Sequence, residues 1–146
     1  MPTLEAKNSD FETSLKQIIL AMPIAKFYGL RFVSVAPGDV EIEMPYRDDL
    51  SFMAGVLQAG PVGTLLDFAA GSSVGTLLPP GWANSTVDVV FKVIAPARGE
   101  RFVAHGIAVS AGKTLSVAEA KVYAIHQDVA TLCAAGMVTM RNFQTT

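Results

Sequence analysis

The chain has 146 residues, of which 51% are hydrophobic and 16% charged, and its formal net charge is −2. That length suits one domain with a real core, and a near-neutral charge without a basic stripe speaks against nucleic acid as a partner. The one cysteine, Cys133, excludes an internal disulfide and fits a reducing, cytoplasmic setting.

The N-terminal stretch MPTLEAKNSDFETSLKQ is polar and lacks a signal-peptide core. Phe11, Leu15, Ile18, Ile19 and Met22 recur at helical spacing, which predicts a helix over about 9–22, capped by Ser9 or Asp10 and stopped near Pro23. Gly29 to Ala36 reads as a strand, and Pro37-Gly38-Asp39 as a turn. Val40, Ile42 and Met44 then alternate with Glu41 and Glu43, the pattern of a half-buried strand, so the two pieces form a hairpin. A loop from Tyr46 to about Leu57 leads into GVLQAGPVGTLLDFAAGSSVGTLLPPG. This is a long apolar helix opening at Pro61 and ended by Pro79-Pro80-Gly81.

Three strand-like runs follow, at 85–94, 100–110 and 114–125, and a last run at 130–140 closes a core of about 29–140. Consecutive hairpins favour an antiparallel sheet, and a helix apolar on nearly every side has to be enclosed. The expectation is a single α+β domain: an antiparallel sheet wrapped around one long central helix. Residues 60–78 approach a membrane span in length. However, they hold Asp67, Pro61, four glycines and four hydroxyl residues, and a central Asp disfavours insertion, so no membrane partner is expected.

Asp67 is the lone charge of that helix. A buried carboxylate is costly unless it is paired, protonated or facing a cavity. Its simplest partner would be Thr64 or a nearby backbone group. Gly63, Asp67, Gly71 and Gly75 fall four apart on one stripe, and three glycines there point to close approach by another backbone or by a ligand. At the helix entrance, Gln58-Ala59-Gly60 offers free amides at the positive end of the helix dipole, suited to polarising a carbonyl oxygen.

GVLQAGPVGTLLDFAAG, then TLLPPG, then STVDVVFKVIAPARGERFVAHGIAVSAGKTLSVAEAKVYA resembles the hotdog-fold thioesterases. Within them the chain is most similar to the phenylacetate-degradation thioesterase family, over roughly 29–140. The resemblance implies a homodimer or homotetramer with active sites at subunit interfaces, and hydrolysis of acyl-coenzyme A (acyl-CoA) without a metal or cofactor. It implies Asp67 as nucleophile or as general base toward water. It assigns Gly60 or Ala59 of the opposing subunit as the amide that polarises the carbonyl, and Thr86, with Ser85 beside it, as the hydroxyl of the site. Arg98 and Lys113, and less so Lys92, are the cations placed for coenzyme A phosphates.

The chain departs from that family where His-Gly-Gly is usual: it has Gln58-Ala59-Gly60, and Gln58 can hydrogen-bond but cannot carry a proton at neutral pH. Six residues earlier, where Asn or Gln orients water, stands Phe52. These departures favour a second reading, a non-catalytic acyl-CoA binding or sensing module, which the retained Asp67 argues against. A third, a hydratase or dehydratase, usually wants an Asp/Glu and His pair, and no His lies near Asp67 in sequence. Trp82 either lines the acyl pocket or packs an interface. His105 reads as a packed or surface residue, His126 as solvent-facing and Cys133 as a small buried hydrophobe. No spacing suggests a metal site or a nucleophile elbow. The favoured expectation is a thioesterase for small aromatic or medium-chain acyl-CoA.

Overall fold

The computed structural model describes residues 4–146. The first helix, α1 (Phe11–Leu20), has Asp10 at its N-cap, but the Asp10 side chain makes no cap bond. Asn8 Oδ1 instead accepts from the Asp10 amide at 3.0 Å. The helix stops short of Met22 because Pro23 opens a second helix, α2 (Pro23–Tyr28). A proline at the first helical position loses no hydrogen bond, and Gly29 closes α2 in the left-handed conformation at φ 67°. The Pro23 to Gly29 spacing was the readable signal for this helix, outside the apolar periodicity.

Strands β1 (Arg31–Ala36) and β2 (Asp39–Pro45) form the expected hairpin. Val40, Ile42 and Met44 are fully buried, as their alternation requires. The expected loop after β2 is more ordered than a loop. It holds a 3-10 turn at Asp48–Leu50 and a small hairpin of β3 (Ser51–Met53) and β4 (Val56–Leu57). The long helix α3 (Ala59–Gly75) ends before the proline pair, and residues 76–78 tighten into a turn with Leu77 N–H donating to Val74 O at 2.9 Å. Four long strands follow: β5 (Trp82–Val93), β6 (Arg101–Ala111), β7 (Leu115–His126) and β8 (Val129–Gln144).

The main sheet has six strands in the order β1-β2-β6-β7-β8-β5, and every pair is antiparallel. It curls around α3, which packs against β2, β5, β6, β7 and β8. This is the hotdog arrangement. It explains why α3 lacks an apolar stripe and is apolar almost throughout: a helix covered by a curled sheet has little wet face to keep polar. Ser73 and Thr76 meet their own needs by donating to Ala70 O at 2.7 Å and Ser73 O at 2.6 Å. Thr76 Oγ1 also accepts from Gly38 N–H at 2.7 Å, tying the end of α3 to the β1–β2 turn.

The glycine stripe of α3 is explained mainly by side chains, which corrects the expectation of a backbone or ligand. A methyl group on Gly63 would lie 2.6 Å from the Phe91 ring, and one on Gly75 would lie 2.9 Å from Leu15 Cδ1. At Gly71 the nearest atoms, Asn84 Oδ1 and Met140 Sδ, stand at 3.7 Å, so space remains. Backbone meets backbone elsewhere: a methyl on Gly106 of β6 would collide with the Ala69 carbonyl of α3. Among the described residues no helix is long and apolar enough to cross a membrane.

Two substitutions separate these cases. Gly106→Ala should destabilise the protein by about 1–3 kcal/mol, because the backbone of α3 cannot yield as a side chain can. Gly71→Ala should be neutral or stabilising by up to about 1 kcal/mol, since alanine fits and favours helix. Urea unfolding of both variants against wild type checks the pair.

Candidate active site

The entrance of α3 is built by Gln58 in an extended conformation (φ −68°, ψ 153°), with Pro61 in the first turn. Its side-chain Oε1 accepts from the Gly60 amide at 2.5 Å, so Gln58 caps its own helix. The Ala59 amide, first in the helix, has no partner among the described residues. All three residues are exposed.

Two turns further on, Asp67 is half-buried, and its Oδ1 accepts from Thr86 Oγ1 at 2.7 Å. Thr64, the simplest partner by sequence, is engaged elsewhere, donating to Gly60 O at 3.1 Å. No protein donor reaches Asp67 Oδ2 among the described residues. Burial pushes the Asp67 carboxyl above the ordinary aspartate range, and the Thr86 hydrogen bond draws it partly back. The result is a held but incompletely satisfied carboxylate, the state that suits a base or nucleophile.

Strand β5 supplies the opposite wall. It runs back along α3, so Asn84 lies beside Gly71, Thr86 beside Asp67 and Phe91 beside Gly63. Asn84 Nδ2 donates to Gly71 O at 2.9 Å. The pairing with β8 shifts between Thr86 and Asp88, and this bulge lets Thr86 and then Val89 and Phe91 face the helix. Asn84 and Phe91 were not singled out by sequence reasoning. The alternation of Asn84 and Thr86 was a signal for the first; the bulge that turns Phe91 inward leaves no mark in the sequence.

The remaining candidates are dispersed. Ser85 is exposed and, by strand alternation, points away from α3. Phe52 sits exposed on β3, near the entrance of α3. Arg98 is exposed and adjoins the same entrance, its Nη1 lying 3.5 Å from Ala54 O. Lys113 lies at the other end of α3, with Leu77 and Leu78, so one phosphate cannot meet Arg98 and Lys113 of the same chain. Lys92 is exposed on β5. Trp82 is half-buried against α1 and the end of α3.

His105 is paired with Asp39 at 2.6 Å, and His126 with Glu100 at 3.2 Å, both away from Asp67. Cys133 is buried, and burial pushes its thiol up to about 11, so it behaves as a small hydrophobe. Among the described residues no cluster of His, Cys, Asp and Glu has the form of a metal site.

One distance governs the chemistry. Gly60 and Asp67 are seven residues apart on one helix, roughly 10 Å along the axis. The carbon and oxygen of a thioester carbonyl are only about 1.2 Å apart. Asp67 and the entrance amides of the same chain therefore stand well apart along α3.

No protein-family model and no curated protein matches this chain. Solved structures do. A thioesterase family protein from Silicibacter pomeroyi is 31% identical, with a TM-score of 0.89 over 92% of this chain and 98% of that one. A thioesterase from Haemophilus influenzae shares the fold at 17% identity, with a TM-score of 0.82 over 97% of this chain and 96% of that one. The PaaI protein of the E. coli phenylacetic acid degradation operon shares it at 15% identity, with a TM-score of 0.82 over 97% and 99%. With that sequence identity over nearly the whole chain, and a long helix enclosed by a curled antiparallel sheet, this chain belongs to the hotdog-fold thioesterase family.

Proposed function

We propose that this thioester hydrolase acts on acyl-CoA, and that each active site joins Asp67 of one copy to the helix-entrance amides of a second copy. The observation that carries the reading is half-buried Asp67, the only charge on α3, held by exposed Thr86 and standing half the helix's length from the amides it needs. The edge of the sheet supports the second copy. β5 is twelve residues long and has no strand on its outer side among the described residues. Val87, Val90 and Val93 are exposed along it. Long apolar edges of this kind are natural sites for strand pairing.

In this mechanism Thr86 fixes Oδ1 of Asp67 and leaves Oδ2 to attack the thioester carbon or to take a proton from the attacking water. The carbonyl oxygen gathers negative charge and is met by the Ala59 amide and by the Gly60 amide, once Gln58 Oε1 gives way to it. The acyl group leaves as the free acid, directly when water attacks, or after a second step in which water hydrolyses the acyl–Asp67 anhydride when Oδ2 attacks. The C–S bond breaks and coenzyme A leaves as the thiol with a proton that comes from water. Arg98, beside the entrance, is the cation placed to meet its phosphates; Lys113 is at the wrong end of the same helix.

Release of free thiol from a panel of acyl-CoA esters tests this reading. Asp67→Asn should lower kcat by about 10²–10⁴-fold. The same change should stabilise the protein at neutral pH, because it removes a charge that the fold disfavours. The sign follows from the raised carboxyl: the fold prefers protonated Asp67, so the advantage of Asn is present above the folded titration and disappears as the pH falls below the ordinary aspartate range. Parallel activity and denaturation measurements from pH 3 to 8 read both effects (about the full titration range of a raised carboxyl). Binding of acyl-CoA without turnover of any ester would favour the non-catalytic module instead.

Thr86→Val should move the acid limb of the pH–rate profile to higher pH, since the hydrogen bond that favours the ionised carboxyl is gone. Thr86→Ser should leave the limb in place. The shared site has its own check. Asp67→Asn and Gly60→Pro proteins, each nearly inactive, should regain about a quarter of wild-type activity when unfolded and refolded together, because half of randomly formed dimers carry one intact site of two. No recovery would place carboxylate and amides in the same chain.

A further inference from the structure

We propose that Thr64 positions the hydrolytic water against Asp67, so that Asp67 acts as general base and the water attacks the thioester carbon. The proposal rests on the thioesterase reading and decides between its two routes.

Four side chains of α3 are polar. Ser72 and Ser73 are buried, whereas Thr64 and Asp67 are half-buried. Three residues apart, they share one face of the helix, with Cβ atoms about 5–6 Å from each other. Helical side chains lean toward the N-terminus, so the Asp67 carboxylate overlies the turn that carries Thr64. On the other flank of Asp67, the Phe91 ring covers the helix at Gly63.

The hydrogens decide what fits between them. Thr64 Oγ1 lies 3.1 Å from Gly60 O, and a carbonyl oxygen can only accept, so the hydroxyl hydrogen is committed there. What Thr64 has left are lone pairs. Asp67 is in the same state: Oδ1 takes the Thr86 hydroxyl, and Oδ2 has no protein donor among the described residues. Two acceptors beside one gap call for a donor with two hydrogens, and water is the smallest. One water bonded to two oxygens at about 2.8 Å each spans about 4.5 Å, a separation within reach of side chains at this spacing.

A water held in this way gives both hydrogens to the protein and turns its lone pairs outward, toward the thioester carbon. Attack forms the C–O bond while Asp67 Oδ2 takes one water proton. The C–S bond then breaks, that proton passes to the departing sulfur, and the acyl group leaves as the free acid. No acyl–Asp67 anhydride forms on this route.

The test compares Thr64→Val, which keeps the shape and removes the acceptor, with Thr64→Ser, which keeps the acceptor. The substrate is whichever of acetyl-, hexanoyl- and phenylacetyl-CoA wild type turns over fastest. Thr64→Val should lower kcat by about tenfold or more, with KM within about twofold of wild type, and Thr64→Ser should stay within about threefold. The second readout is the ratio of methyl ester to free acid formed in aqueous methanol. Methanol has one hydroxyl hydrogen, which goes to Asp67, so it loses nothing with the Thr64 oxygen, whereas water loses one of its two anchors. The ratio should rise about fivefold or more in Thr64→Val and not in Thr64→Ser. It is independent of how much of the variant is folded. A Thr64→Val kcat within about threefold of wild type, or a lower kcat with an unchanged ratio, would overturn the proposal while leaving a thioesterase. No turnover of any ester by wild type would overturn the acyl-CoA hydrolase reading, and this proposal with it.

Discussion

A helix that is apolar on nearly every side must be covered on nearly every side, and much of this molecule follows from that constraint. The sheet has to curl, and curling brings β6 so close that α3 and β6 meet backbone to backbone at Gly106. The strands on the concave face must present small residues to leave room for the helix: Ala104, Ala118, Ala120, Ala124 and Ala134 are all buried there. Larger side chains, Phe102 of β6, Met140 of β8, Ile42 and Met44 of β2 and Leu65 and Leu66 of α3, fill the remaining space.

Within that enclosure a charge is tolerated only at the margin. Asp67 lies where α3 passes beneath β5, the outermost strand, and there it is half-buried. A position toward the middle of the sheet would desolvate it fully. A position at the open end of the helix would leave it with an ordinary titration and little reason to react. Thr86 supplies one hydrogen bond, enough to orient the carboxylate without satisfying it. Stability and reactivity are opposed at this residue, a frequent arrangement at sites that do chemistry.

The same edge links the chemistry to assembly. β5 contributes Thr86 toward α3 on one side and shows an unpaired, apolar outer edge on the other. On α3 the carboxylate of Asp67 stands about two turns from the positive end of the helix dipole. An arrangement in which two copies exchange half-sites across β5 uses both facts at once. At the entrance of α3 the Gln58 side chain already supplies an oxygen to the Gly60 amide.

How much of this was legible beforehand depended on the range of the interaction. Periodicity and turn chemistry placed α1, the first hairpin, α3 and the four long strands within a few residues, because they are local properties of the chain. The lone charge of Asp67 in an apolar run marked it as a site without any structure, and the motifs around it carried the family. Local signals could not say that Thr86, 19 residues away, is the group that holds it, nor that a bulge after Thr86 lets Phe91 fill the space at Gly63. They also could not show that Arg98 and Lys113 end at opposite ends of α3, or that Trp82 and α1 line one cavity. The sequence by itself determined which segments are helix or strand and which residue is chemically out of place; only the tertiary structure decided which side chains meet, because register, bulges and the curl of the sheet arise from packing between segments distant in the chain.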